Sequence, residues 1–337
     1  MEKIKAYHSV KSFLKEDQRN AIAEMLNLSE EDLTRRMNGK EAEYEFLFRS
    51  YCLGGIKDII AFEEGVSRLS KTVATDFLFV LKDGRRLAIE VKSTQKQPWK
   101  ISKKLLESKK EFANLMNAEL YFAIRVHSYW IFLSANYIEA NGYKVDYTKD
   151  FFYCEFHILG ERTFMIFDSF KILSVYTRDV NKAIHEKIGH PEYGYLQKYN
   201  VEFNNKKIFK ISRNSKDKFK ISTILEAIQD SAARNDQKVE KLDSNRTLVI
   251  EETPPKATFT LSHLLVAPIF HMINDLDISY DFSTFITEMV DEKDKPTIMP
   301  NEVIYVLAKL YKSGVYIGDV RGKDVIKFDA SYDISNV

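Results

Sequence analysis

The stretch Thr75–Thr94, TDFLFVLKDGRRLAIEVKST, constrains the fold of this chain more than any other. It predicts two strands joined at Asp83-Gly84, a residue pair typical of tight hairpin turns. Because side chains alternate between the faces of a strand, Glu90 and Lys92 share one face about 7 Å apart. Two charges late in an otherwise hydrophobic strand are costly to bury unless something compensates them, and a bound cation would do so.

The length of the hairpin loop decides on which face Asp76 lies. With a two-residue loop, Asp76 pairs with Val91 and its carboxylate faces away from Glu90. With a three-residue loop, in which Gly84 is left-handed, Asp76 lies directly opposite Glu90. The second register is predicted, because only it places Asp76, Glu90 and Lys92 on one face. An ordinary surface hairpin with scattered charges is the alternative.

These residues resemble a known superfamily. Asp76 and the run Glu90–Thr94 are similar to the motif of the PD-(D/E)xK nucleases, which include many restriction enzymes, Holliday-junction resolvases and repair nucleases. The resemblance covers roughly Asn38–Ala140, and it departs from the usual pattern at Thr75, where a proline is common. It implies a restriction-endonuclease-like mixed β-sheet flanked by helices.

A glutamate upstream belongs to the same resemblance. The run Gly39–Glu43, GKEAE, is similar to the start of the first helix in resolvase-like members, whose glutamate completes the metal site. Glu43 is the residue that matches this glutamate. Glu41 and Glu45 are neighbouring alternatives.

The activity that the resemblance implies is that of a magnesium-dependent deoxyribonuclease. Asp76, Glu90, Glu43 and the carbonyl group of Val91 are expected to ligate Mg²⁺ or Mn²⁺, which prefer hard oxygen ligands. The metal would lower the pKa of a bound water and neutralise charge on the scissile phosphate. Lys92 is expected to orient that water or help to deprotonate it. The expected catalytic set is therefore Asp76, Glu90, Lys92 and Glu43.

Two other functions stay open. One is a catalytically silent module that binds DNA or protein on a nuclease-like scaffold. The other is a nuclease inside a larger complex, in transposition, phage defence, restriction or repair. The intact trio of Asp76, Glu90 and Lys92 favours an enzyme, since a binding module does not need it.

Two lysine-rich segments are candidates for contact with DNA phosphates. Gln95–Lys110 is predicted as a helix that follows the Glu-x-Lys strand, and Lys109 and Lys110 lie at its end. In Phe203–Lys220, apolar residues interleave with basic ones. A solvated basic face is the alternative for both segments. The expected DNA contacts are Lys96, Lys100, Lys103, Lys104, Lys207, Lys210 and Arg213.

The composition limits the partners and the location. The formal net charge is +1, so DNA binding would depend on local basic patches. With 45% hydrophobic and 29% charged residues the chain is typical of a globular protein, and no apolar run approaches the ~18 residues of a membrane span. Cys52 and Cys154 have no partners at zinc spacing, and free thiols in a reducing cytoplasm are expected.

At 337 residues the chain is expected to hold more than one domain. An α/β catalytic domain is expected at 39–178, after a helical segment at 1–38. A basic connecting region follows at 179–252, and within it Asn235–Arg246 is predicted as a linker. An α+β winged-helix-like domain is predicted at 253–337.

The winged-helix prediction rests on element order. Helices are predicted at Leu261–Asn274, Asp281–Asp291 and Asn301–Ser313, followed by a β-ribbon over 315–328. The third helix is poor in basic residues, so this region is expected either to dock a protein partner or to contact DNA through Arg321 and Lys323. A homodimer or a partner would allow both strands of a duplex to be cut.

Overall fold

The computed structural model describes residues 15–25, 30–62, 73–127, 129–184, 189–216, 218–230, 236–266, 286, 298–321 and 324–329. The chain is divided into two compact units. The first comprises Met1–Glu161, Ile269–Lys295 and Val337, and the second comprises Arg162–Pro268 and Pro296–Asn336. Among the described helices, none is long and apolar enough to cross a membrane.

The first unit is a mixed β-sheet with helices. Its helices are α1 (Glu16–Met25), α2 (Glu30–Cys52), α3 (Lys103–Leu115), α4 (Ala135–Ala140) and α5 (Tyr147–Asp150), with 3-10 turns at Phe151–Tyr153 and Phe156–Leu159. Its strands are β1 (Ile56–Ala61), β2 (Phe77–Leu81), β3 (Arg86–Thr94), β4 (Trp99–Lys100), β5 (Glu119–Val126), β6 (Tyr129–Ser134) and β7 (Lys144–Val145).

The main sheet has the strand order β1-β2-β3-β5-β6. Strands β3 and β5 run parallel, while the other neighbours run antiparallel. A parallel pair needs a long crossover connection, and α3 lies in that connection. The predicted α/β class with a mixed sheet is confirmed for this unit.

Both faces of the sheet are packed. On one face, the ring of Phe46 in α2 stacks on Phe79 of β2, with centroids 6.0 Å apart. On the other face, Leu106 of α3 belongs to the same buried cluster as Ala88 of β3 and Phe122 of β5. A charged side chain on β3 is therefore placed inside a packed protein.

The hairpin of β2 and β3 has the predicted register. Phe77 pairs with Ile89 and Phe79 with Leu87, so the series continues to Asp76 opposite Glu90. The backbone N–H of Leu81 donates to the carbonyl of Arg85 at 2.9 Å, which leaves a three-residue loop, and Gly84 has φ +88°. The three-residue loop is confirmed.

Two helix predictions in this unit need correction. The helix expected over Gln95–Lys110 begins only at Lys103, because Pro98 lacks a backbone donor and the Ser102 hydroxyl caps the helix by accepting from Leu105 N–H. Residues 95–102 instead contain β4, which pairs with β7. The helix that was expected to open at Gly39 starts earlier, at Glu30, and continues through this glycine.

The second unit contains two further sheets. Their strands are β8 (Thr163–Ile166), β9 (Phe170–Thr177), β10 (Gly189–His190), β11 (Gly194–Phe203), β12 (Lys206–Ser212), β13 (Asp236–Lys241), β14 (Arg246–Thr253), β15 (Ala257–Thr260), β16 (Ile317–Arg321) and β17 (Asp324–Lys327). The helices are α6 (Lys218–Asp230) and α7 (Pro300–Lys312), with a 3-10 turn at Val180–Lys182. One sheet has the order β10-β11-β9-β14-β13 with β12 on β11, and the other has the order β15-β8-β16-β17.

The structure differs from the sequence prediction for the region at 179–252. Strand β9 ends at Thr177 and lies between β11 and β14, so residues on both sides of position 178 share one sheet. The predicted linker Asn235–Arg246 is wrong, because β13 forms a hairpin with β14 in which Val239 pairs with Val249. Pairing with β14, which itself lies on β9, gave structure to a polar segment whose local sequence resembles a loop.

The winged-helix assignment stays a prediction. Helix α7 and the β16–β17 hairpin occupy the positions predicted for the third helix and the ribbon. Strand β16 also pairs with β8, so the ribbon is part of a larger sheet. Of the predicted helix Leu261–Asn274, only 261–266 are described and helical, and Asp281–Asp291 lies outside the described residues except for Ile286. Lys323 also lies outside them.

Candidate active site

The hairpin brings the carboxylate of Asp76 to the strand that carries Glu90. The Val91 N–H donates to Oδ2 of Asp76 at 2.7 Å, and the Asp76 N–H donates to the carbonyl of Ile89 at 3.0 Å. Glu90 lies in the middle of β3 and only 3% of it is exposed. The three-residue loop is the local cause of this placement, since one residue fewer would turn Asp76 to the opposite face.

Each oxygen of Glu90 has its own ammonium partner. The Nζ atom of Lys92 lies 2.6 Å from Oε1, and the Nζ atom of Lys109 lies 2.5 Å from Oε2. The two lysines differ in accessibility, because the side chain of Lys92 is 38% exposed and that of Lys109 only 4%. Paired charges of this kind offset the cost of burying the Glu90 carboxylate.

The electrostatics of Asp76 indicate an excess of negative charge. Burial raises the pKa of Asp76, and the charges of Glu90 and Glu43 raise it further, to about 8. The ammonium of Lys92 and the hydrogen bond from Val91 N–H act in the opposite direction without cancelling this rise. A bound proton or a bound cation would relieve the repulsion.

Lys92 and Lys40 stay cationic, because neighbouring carboxylates raise the pKa of each. Burial alone would lower the pKa of Lys92, but Glu90 and Asp76 raise it above the usual value. Burial also lowers the pKa of Lys40, but Lys40 forms an ion pair with Glu43. This pair raises the pKa of Lys40 above the usual value. Ammonium groups thus balance much of the carboxylate charge.

The structure separates two of the glutamates of α2 that the sequence left as alternatives. Glu43 acts on Asp76 and is the one placed toward the site. Glu45 is buried and accepts from Arg49 at 2.9 Å and from the Trp130 indole at 3.0 Å. It also pairs with Arg125 at 3.1 Å. Glu45 is therefore occupied elsewhere.

Comparison with known proteins points to the same part of the chain. Residues 64–151 match the family model of the archaeal Holliday junction resolvases, Hjc. This segment includes Asp76, Glu90 and Lys92 but not Glu43, and it is less than half of the chain. The part that carries the trio is therefore similar to a family of nucleases that act on DNA.

Other comparisons add little. A search of the curated proteins finds no match. Among solved structures, Hjc of Archaeoglobus fulgidus, a Holliday junction resolvase from an archaeal hyperthermophile, is 24% identical with a TM-score of 0.29. That alignment covers 33% of this chain and 89% of the Hjc chain. With a TM-score this low, the likeness carries no argument.

The donor set suits a hard divalent cation. Asp76, Glu90, Glu43 and the carbonyl of Val91 all offer oxygen, as Mg²⁺ and Mn²⁺ prefer. In the part of the chain that the structure describes, no three or more His, Cys, Asp or Glu side chains form a ready-made metal cluster. Lysine ammonium groups lie beside the carboxylates of Glu90 and Glu43, next to the oxygens that a cation would share.

The residues expected to contact DNA lie in different parts of the fold. Lys96, Lys100, Lys103 and Lys104 are exposed in the first unit, ahead of α3 and at its start. In the second unit, Lys207 and Lys210 are exposed on β12, and Lys207 lies 3.6 Å from Glu202. Arg213 is exposed and donates to the carbonyl of Asn181. Their contact with DNA stays a prediction.

Lys109 is the site residue that the sequence reasoning missed, because the lysine run around it predicts a face toward DNA or solvent. It lies three residues after Leu106 and three before Phe112, and all three are buried. This i, i+3 spacing marks the apolar face of α3, so the periodicity of the helix could have found it.

Proposed function

We propose that this chain is a metal-dependent DNA endonuclease that hydrolyses phosphodiester bonds. The observation that carries the proposal is the contact of Asp76 with the amide next to Glu90, together with Lys92 on Glu90 itself. The match of this segment to the Hjc family model also supports it. Neither a structural hairpin nor a plain binding surface requires that trio.

Each residue has a role in the proposed reaction. Asp76, Glu90, Glu43 and the Val91 carbonyl would hold Mg²⁺ or Mn²⁺, which when bound supplies an acidified water and neutralises charge on the phosphate. Lys92 is exposed enough to reach a substrate, and its raised pKa keeps it cationic. Its ammonium would orient the attacking water and counter the charge that develops on the phosphate.

We propose branched DNA as the substrate class to examine first. The matched family model is described as that of the archaeal Holliday junction resolvases, and this proposal rests on that match. The exposed lysines around the start of α3 would contact backbone phosphates without reading sequence. Cutting two strands of a junction would require a second copy of the chain or a protein partner.

The test is a cleavage assay with the purified full chain. Supercoiled, linear, branched and single-stranded DNA are each incubated with Mg²⁺, Mn²⁺ or EDTA. We expect cleavage with a metal and none with EDTA. Asp76→Ala and Glu90→Gln should abolish cleavage, and the amide of the second variant keeps an acceptor for the buried Lys109. Asp83→Ala, which removes an exposed carboxylate in the same hairpin, should cleave as the wild type does. Full cleavage by the first two variants would remove the proposal.

A catalytically silent binding module remains the second candidate. It is favoured by the two lysines on Glu90, which balance that carboxylate without any metal. Calorimetric titration with Mg²⁺ or Mn²⁺ separates the two functions. A binding module predicts equal heats for the wild type and Asp76→Ala.

A further inference from the structure

Helix α3 carries a lysine into the interior of the first unit. Lys109 lies on the buried face of the helix with Leu106, Phe112 and Ala113. Its Nζ atom is 2.5 Å from Oε2 of Glu90 and 3.1 Å from the carbonyl of Ala74. A buried ammonium is costly unless its donors are satisfied, so both contacts fix its position.

The same helix also holds the chain that leads into Asp76. The Oγ atom of Ser108 accepts from the Val73 N–H at 3.2 Å, next to the contact of Lys109 with Ala74. Two adjacent residues of α3, Ser108 and Lys109, therefore hold the backbone of Val73 and Ala74, which lie just before Asp76. Among these contacts, that of Lys109 is the one that connects this segment with Glu90.

The two oxygens of Glu90 are not equivalent. Oε2 is held by Lys109, whose side chain is 4% exposed and has a second, backbone partner. Oε1 is held by Lys92, whose side chain is 38% exposed. A long, partly solvated lysine can change rotamer with little loss, while a buried one with two partners cannot.

We propose that Lys109 is a positioning residue of the metal site, which rests on the proposed function: it anchors Oε2 of Glu90 and the backbone before Asp76, and it leaves Oε1 as the oxygen offered to a cation. Residues that orient a ligand group through its second oxygen keep the ligand preorganised, and their loss typically costs about 10–100-fold in metal affinity or activity. Because Lys109 is buried, it acts without touching DNA.

The test is Mn²⁺ calorimetry on the metal-free full chain. Lys109→Met removes the ammonium and keeps the length of the side chain. Lys110→Met is the matched control, because the adjacent lysine of the same helix pairs instead with Glu139 at 2.5 Å. We expect Lys109→Met to bind Mn²⁺ about 10–100-fold more weakly, and Lys110→Met to bind it as the wild type does. Unchanged binding by Lys109→Met would show that Lys109 does not position the ligand, and tighter binding would show that it only repels the metal. Either result would overturn the proposal.

Cleavage kinetics provide the second readout. Lys109→Met should lower kcat and leave KM for DNA nearly unchanged, whereas loss of a lysine that contacts phosphate should raise KM. Lys109→Arg keeps the positive charge and donors toward Oε2, so it should recover a large part of the lost Mn²⁺ affinity. An increase in KM alone would contradict a positioning role.

A fold control keeps the experiment decisive. If Lys109→Met does not fold, the substitution is made in a Glu90→Gln background, where the buried ion pair is already broken. There the contact with the Ala74 carbonyl is the main one that remains to be lost, so the substitution should weaken Mn²⁺ binding by less than about tenfold, and a further loss of roughly tenfold or more would overturn the proposal. If the wild type itself neither binds Mn²⁺ nor cleaves DNA, the proposed function fails. If the wild type does both and Lys109→Met behaves identically, only the role of Lys109 fails.

Discussion

At the level of single residues, the carboxylate of Asp76 is buried next to other negative charges, which is electrostatically unfavourable. Burial and the charges of Glu90 and Glu43 raise its pKa to about 8 in the folded protein. In the unfolded chain an aspartate has a pKa of about 3.9. The loop length in the sequence predicts that this carboxylate lies near Glu90, but the sequence does not reveal how far Lys92 and Lys109 neutralise the site.

This shift predicts a pH dependence of stability in the metal-free protein. A carboxyl with a raised folded pKa stabilises the fold at low pH, and that contribution is lost as the pH rises from about 4 through 8. Asp76→Asn removes the charge, so its stability relative to the wild type should increase between about pH 5 and 8.5, on the order of 2 kcal/mol after allowance for partial exposure.

The measurement is the free energy of unfolding in urea with EDTA present. Asp83→Asn is the matched control in the same hairpin. Hydrogen bonds from Arg85 lower the pKa of the exposed Asp83, so this carboxylate stays ionised over the whole pH range. The effect of Asp83→Asn on the free energy of unfolding should therefore be the same throughout. Parallel pH profiles for the wild type and Asp76→Asn would contradict the account of the site.

At the scale of elements, the β2–β3 hairpin was predictable because local rules determine it. Asp83-Gly84 determines the turn, the turn determines the register, and the register determines which face carries Asp76. Helix α3 was predicted less well, since its start depends on Pro98 and on the cap by Ser102 rather than on the lysine run. Whether Lys109 is buried depends on which face of α3 packs against the sheet, and the composition of the helix does not show this.

Substitution by alanine should change the free energy of unfolding in opposite directions at two glycines, Gly84 and Gly39. Gly84 has φ +88° and open space where a Cβ atom would lie, so Gly84→Ala adds only backbone strain and should destabilise by about 1 kcal/mol. Gly39 lies within α2 with nothing within 4 Å of an added Cβ atom, so Gly39→Ala should stabilise by up to about 1 kcal/mol. Urea unfolding measures both, and effects of the same sign would contradict the assigned conformations.

The lysines around α3 predict a salt dependence of DNA binding. Replacing Lys103 and Lys104 together by Gln should weaken binding to any DNA sequence and reduce the slope of log K against log salt by roughly 1–2. The same change at Lys207 and Lys210 tests the second segment.

Fluorescence anisotropy at several salt concentrations measures these slopes. The control replaces Lys57 and Lys82, two exposed lysines outside both segments, by Gln. It changes the net charge by the same amount and should leave the slope nearly unchanged. An equal reduction by the control would show that only overall charge matters, and that neither segment contacts DNA.

At the scale of the whole molecule, the sequence predicted the first unit better than the second. The first unit follows a local order of strand, turn, strand and helix, and its mixed sheet was expected. In the second unit, β14 pairs with β9, and the pair Ser174–Val249 joins residues far apart in the chain. Such pairing leaves no local signal, so the region at 179–252 resembled a connection although its strands belong to a sheet.

In the proposed site, Asp76 and Glu90 share one divalent cation. Calorimetric titration of metal-free wild type and Asp76→Asn with Mn²⁺ at about pH 8 shows whether they do, and circular dichroism shows that both proteins are folded. We expect saturable binding by the wild type and at least roughly tenfold weaker binding by the variant. Equal affinity in the two proteins would contradict a shared cation.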